Sequence, residues 1–178
     1  MKKILLISAS PRRCGNSDLL CDEFKRGAQD AGHEAEKVFL RDKNVDFCLG
    51  CNVCQRNVTC VQKDDTAEIL EKMVAADTLV FATPVYFYTM DAQLKTLIDR
   101  SVSRFREMIG KDIYIIVAAA LSNRDNIMRA VESIRGFTQL CLKDAQEKGV
   151  LLATDVWAAG DVRLRPEMLK AYEMGLNV

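Results

Sequence analysis

Ile4-Leu5-Leu6-Ile7-Ser8-Ala9-Ser10-Pro11-Arg12-Arg13-Cys14-Gly15-Asn16-Ser17 is the stretch on which the fold of this chain turns. Ile4 to Ser8 reads as a strand buried on both faces of a parallel sheet, because it is apolar without alternation. The residues after it form a loop rich in hydroxyl and amide donors, with one glycine, leading into a helix that starts near Ser17. Such a junction gathers backbone N–H groups and the positive end of a helix dipole at one point, which makes an anion site. Arg12 adds a permanent, forked charge suited to a phosphate dianion. Simple capping by Ser10, Asn16 or Ser17 accounts for one of these residues and leaves the set unexplained. The chain carries no G-x-x-x-x-G-K-[ST], and no G-x-G-x-x-G follows a strand. A P-loop nucleotidase and a dinucleotide-binding fold are therefore not expected.

Outward from this junction, short apolar runs alternate with amphipathic stretches, the pattern of βαβ units. Further strands are expected at about 35–40, Leu79–Ala82, Ile113–Ala120 and about Val150–Trp157. The first helix carries Leu20, Phe24 and Ala28 on one face and ends at Gly32. A second opens with Asp65 and Glu68 in capping-box spacing and turns Ile69 and Met73 inward. A third runs from about Asp91 to Val102. A fourth is expected from about Asn126 to Lys148 with Gly149 as its stop, and a fifth from Pro166. Together these elements define an α/β fold in one domain over 1–178: a doubly wound five-stranded parallel sheet, order 2-1-3-4-5, with helices on both faces.

In such a sheet ligands sit beyond the carboxyl ends of the strands, where strand order reverses. The loop after the third strand, Thr83-Pro84-Val85-Tyr86-Phe87-Tyr88, falls there. Proline fixes the strand end, and the aromatics offer faces and nearby backbone groups for a planar heteroaromatic ring; plain packing is the competing use of such residues. His33, the one histidine, reads as an exposed polar residue; Trp157, at the end of the last strand, could meet a ring bound at that edge, with core packing the favoured reading.

Lys plus Arg equals Asp plus Glu at 25 each, so the formal net charge is zero. Nucleic acid and anionic membranes demand excess positive charge and are not expected as partners. The short apolar start runs at once into Pro11-Arg12-Arg13 rather than a cleavage site, and no stretch approaches a membrane span; the chain reads as cytoplasmic. Of seven cysteines, Cys14, Cys21 and Cys141 are scattered and read as small hydrophobes. Cys48, Cys51, Cys54 and Cys60 are spaced C-x2-C-x2-C-x5-C within Arg41 to Lys63, a stretch without periodicity. Thiolates so spaced can wrap one iron–sulfur cluster. Zinc more often uses two separated knuckles, and a disulfide is disfavoured in a reducing compartment.

Ser10-Pro11-Arg12 with Gly15-Asn16-Ser17, Pro84-Val85-Tyr86-Phe87, Gln93-Leu94-Lys95 and Ile98-Asp99-Arg100 resemble, in order, the motifs of the NADPH-dependent FMN reductase family. The resemblance covers roughly the first hundred residues and implies a flavodoxin-like fold, bound FMN and a homodimer or homotetramer. By resemblance Ser10, Arg12, Asn16 and Ser17 hold the FMN phosphate. Pro84, Val85, Tyr86 and Phe87 line the isoalloxazine, and a loop at about Ala119–Asn123 completes the pocket. The cysteine spacing, with Gly50 and Asp64-Asp65, is similar to that of the iron–sulfur flavoproteins within this fold. There a [4Fe-4S] centre passes electrons to the FMN of a neighbouring subunit. Other reductases of the family keep such cysteines without a cluster. The implied activity is oxidoreduction, in which electrons pass from NAD(P)H through FMN to a small-molecule or protein acceptor. The alternative is an iron–sulfur or flavodoxin-type carrier fed single electrons by a ferredoxin-like partner. No acid–base residue is assigned, because hydride transfer to a flavin requires none.

Overall fold

The computed structural model describes residues 1–57 and 59–178; Val58, inside the cysteine-rich stretch, lies outside the described residues. The strands are β1 (Lys3–Ser8), β2 (Glu34–Phe39), β3 (Thr78–Tyr86), β4 (Thr89–Met90), β5 (Asp112–Ala118) and β6 (Gln146–Ala153). The helices are α1 (Asn16–Asp30), α2 (Val53–Asn57), α3 (Thr66–Ala75), α4 (Ala92–Arg100), α5 (Arg124–Thr138) and α6 (Pro166–Leu176). Strand order is β2-β1-β3-β5-β6, all parallel, with β4 folding back antiparallel on the end of β3. Apart from that hairpin this is the flavodoxin-like order read from the sequence.

The unbroken apolar strands are explained by two cores. Leu5, Ile7, Leu79, Phe81, Ile113 and Ile115 point to one face with residues of α3, α4 and α5. Ile4, Leu6, Val80, Ala82, Ile116 and Ala118 point to the other with residues of α1 and α6. On that second face α1 and α6 meet backbone to backbone. A Cβ on Gly27 would lie 2.1 Å from the Tyr172 carbonyl oxygen, and one on Gly175 would lie 2.1 Å from that of Phe24.

Two expected elements are corrected. The fourth long helix ends at Thr138, not Lys148, and the last parallel strand is 146–153 rather than 150–157. The chain turns through Asp144, which adopts φ +57 in place of a glycine. Gly149 lies within β6, where a Cβ would press to 3.2 Å from the Tyr114 ring, so it is a packing position and not a helix stop. The cysteine-rich stretch is also less plain than its sequence suggested, since it holds the short helix α2 and a 3₁₀ turn at Leu40–Asp42. Among the described residues no helix is long and apolar enough to cross a membrane.

Candidate functional site

A cavity of about 920 Å³ opens at the carboxyl ends of β1, β3, β5 and β6, a volume in the range of small-molecule sites. Ser10, Arg12, Asn16, Ser17, Pro84, Val85, Tyr86 and Phe87 all line it. Ala118 and Ala120 add the end of β5, and Thr89, Met90, Ala92 and Lys95 add the hairpin and the first turn of α4. The switch-point rule thus brings two loops, distant in sequence, to one place.

The β1–α1 loop is built by close contact. Ser10 Oγ donates to the Arg12 carbonyl at 2.8 Å and accepts from the Arg12 N–H at 3.2 Å. Gly15, at the helix N-cap, sits so near this turn that a Cβ would lie 2.3 Å from Ser10 Oγ. No side chain caps α1, which leaves its first-turn N–H groups for an outside acceptor. Ser17 Oγ is buried and has no partner, an orphaned donor in the cavity wall. These features fit a phosphate group. Asn16 differs: its Nδ2 donates to the Ala158 carbonyl at 2.9 Å, and its Oδ1 accepts from the N–H groups of Gly160 (3.1 Å) and Val162 (3.2 Å). Its side chain is a tether for the loop after β6, so only its backbone N–H faces the anion role. Behind the loop, buried Asp18 accepts from Ser8 Oγ at 2.7 Å and Lys37 Nζ at 2.9 Å.

On the ring side, Phe87 and Tyr88 take positive φ of 47° and 67°, so the turn presents aromatic side chains where glycine is the usual residue. Phe87 is 99% exposed at the cavity rim, as no packed core residue would be. Buried Asp91 fixes the hairpin to α4. Its Oδ1 accepts from the Leu94 N–H and from Thr83 Oγ1, both at 3.2 Å, while Oδ2 has no partner. Desolvation pushes this carboxyl up to about 7.

The favoured reading of Trp157 is corrected. Expected in the core, it is 79% exposed and lines the cavity. The misplaced strand end is the cause: with β6 ending at Ala153, Trp157 falls in the loop at the ligand-bearing edge of the sheet. Cys21 is buried, but Cys14 and Cys141 are exposed, contrary to their reading as small hydrophobes.

A second cavity, about 310 Å³, is lined by Cys48, Cys51, Cys54 and Cys60 together with Asp99 and Arg100. The loop curls around it through positive φ at Gly50 (63°) and Asn52 (58°). Arg100 holds it down. Its guanidinium forms a buried, bidentate pair with Asp64 (2.6 and 3.1 Å), donates to the Asp46 carbonyl at 2.7 Å and reaches Cys60 Sγ at 3.5 Å. Burial pushes the Asp64 carboxyl up, but the Arg100 ion pair and hydrogen bonds from the Asp46 and Thr66 backbone N–H groups outweigh it and hold the group well below the usual carboxylate range. Among the described residues no three Cys, His, Asp or Glu side chains converge on a point that would hold one metal ion. A polynuclear cluster spreads its four thiolate ligands over a wider body, and four free thiols around one cavity suit that donor set.

A parallel sheet of this order defines a flavodoxin-like fold, and the β1–α1 loop and the aromatic loop place a candidate site over one cavity at its switch point. Residues 2–143 match the NADPH-dependent FMN reductase family, and the chain belongs to that family. An iron–sulfur flavoprotein of Methanocaldococcus jannaschii is 44% identical over 99 residues, 56% of this chain and 51% of that protein. One from Methanosarcina thermophila is 42% identical over 100 residues, 56% of this chain and 52% of the relative. The chain thus spans about half the length of the curated relatives it matches. An NAD(P)H:quinone oxidoreductase from Methanothermobacter marburgensis shares the fold, with TM-score 0.75 over 99% of this chain and 96% of that one, at 18% identity.

Proposed function

We propose that this chain is a single-domain FMN-dependent oxidoreductase that takes electrons from NAD(P)H and passes them to a small-molecule or protein acceptor. The observation that carries the reading is one cavity gathering an anion loop and an aromatic loop at the switch point of a sheet in an FMN reductase family member. Ser10, the backbone N–H groups at the start of α1, Ser17 Oγ and Arg12 bind the phosphate end. Pro84 to Phe87 form the wall for the ring and exclude water from one side of it. Bound FMN supplies the chemistry, accepting a hydride's two electrons and releasing them to the acceptor. The protein binds, orients and shields it, and no side chain is assigned as acid or base.

The cysteine cavity favours a second, one-electron route. Cys48, Cys51, Cys54 and Cys60 would hold a [4Fe-4S] cluster, which would supply single-electron exchange with a ferredoxin-like partner. The resemblance to reductases that assemble as homodimers or homotetramers extends the proposal to the quaternary state.

The visible spectrum of the purified protein tests both routes. A yellow protein that releases FMN on denaturation and bleaches anaerobically with NADH or NADPH supports the reductase. A yellow protein bleached by dithionite but by neither nicotinamide makes it a carrier, and a colourless protein that binds no added FMN overturns the proposal.

A further inference from the structure

Trp157 has an immobilised backbone and a free side chain. Its N–H donates to Asp161 Oδ2 at 2.9 Å, and its carbonyl accepts from both Nη1 and Nη2 of Arg12 at 3.3 Å. The next residue is held the same way, with the Ala158 N–H on Asp161 Oδ2 and the Ala158 carbonyl on Asn16 Nδ2. On the other side Val156 is buried, its N–H bonded to the Ala119 carbonyl at 3.0 Å. Yet the indole is 79% exposed, in the same cavity as Arg12 and the aromatic loop. A large apolar face kept in water on a fixed backbone is a binding surface, since covering it costs little further ordering.

Arg12 connects the backbone that carries this indole to the anion loop. Its two terminal nitrogens share one carbonyl oxygen at long range, while a phosphate would offer shorter, charge-assisted bonds to the same fork. The residue that grips Trp157 is therefore the residue that faces the phosphate. We propose that Trp157 is a flavin-contact residue coupled through Arg12 to the flavin's phosphate, so that aromatic wall and anion are read together. This rests on the FMN reading above. Under it, FMN gains from both groups, and riboflavin, which lacks the phosphate, gains from the indole alone.

The test is titration of flavin-stripped protein with FMN and with riboflavin, followed by flavin fluorescence, in Trp157→Ala, Trp157→Phe, Arg12→Ala and the Trp157→Ala/Arg12→Ala double variant. Trp157→Ala weakens both flavins about tenfold, and Trp157→Phe restores most of that. Arg12→Ala weakens FMN by tenfold or more and riboflavin far less. The double variant loses less FMN affinity than the product of the two single losses, because Arg12 positions the backbone that carries the indole and its loss already weakens the indole's contribution. Unchanged binding of both flavins by Trp157→Ala overturns the proposal. If that variant also halves its mass in solution, the indole seats on a second copy of the chain instead. Independent losses in the double variant overturn the coupling. Wild-type protein that binds neither flavin would instead remove the FMN reading itself.

Discussion

Asp91 shows how one residue stores a pH response in the ring-side hairpin. An unfolded aspartate titrates near 3.9, whereas burial pushes this one up to about 7 in the fold. Between those values the folded chain keeps a proton that the unfolded chain has lost, so stability falls as pH rises through this window. The penalty is complete above about pH 7 and bounded at about 4 kcal/mol. Asp91→Asn keeps an acceptor for the Leu94 N–H and removes the charge. Its Tm is expected to exceed wild type at pH 8 and to match it near pH 4, in melts of the flavin-free protein. A difference that stays constant with pH would mean the carboxyl is not the titrating group. Gly15 makes a second prediction at this scale, through space rather than dihedral freedom, since φ at this N-cap is an ordinary −64°. Gly15→Ala drives a methyl into Ser10 Oγ, so FMN affinity falls by tenfold or more for about 1–3 kcal/mol of stability. Equilibrium dialysis beside urea unfolding separates the two effects.

At the scale of elements, the Arg100–Asp64 pair fastens the cysteine-rich loop to the end of α4. Both side chains are almost wholly buried, so removing one leaves the other charged and unpaired. Arg100→Met is expected to cost about 3–5 kcal/mol, and adding Asp64→Asn to recover much of it; urea unfolding of the three proteins checks this. Neither Asp64 nor Arg100 announces the pair in sequence, because the partners lie 36 residues apart and only the fold joins them. The same limit explains α5. Apolar residues recur through Leu140 and Leu142, so periodicity alone carries the helix onward, and the turn at Asp144 uses a residue that tolerates left-handed backbone without signalling it. What was legible were the strands buried on both faces, whose apolar runs need no partner to be recognised. The β1–α1 loop was also legible as a set that lines one cavity, although the Asn16 side chain is taken up by the loop after β6. Trp157 was lost with the misplaced end of β6, since a loop residue and a core residue look alike until the strand end is fixed.

Across the whole molecule, α4 runs between the two cavities. Ala92 and Lys95 line the larger and Asp99 and Arg100 the smaller, with Lys95 paired to Asp99 one turn away at 2.6 Å. The two cavities share a helix but no lining residue, so the proposed flavin and cluster sites are expected to be separable. Cys51 is exposed, lines the smaller cavity and belongs to neither core. After anaerobic purification the wild-type protein is expected to carry about four irons per chain, the content of one [4Fe-4S] centre. Cys51→Ser then loses iron and the brown absorbance while FMN content and melting temperature stay close to wild type. Joint loss of iron and FMN would show that the loop and the larger cavity fold as one unit. Wild-type protein that takes up no iron on reconstitution with ferrous iron and sulfide, yet holds FMN, would leave the four cysteines without a cluster and the two-electron nicotinamide route as the one that remains.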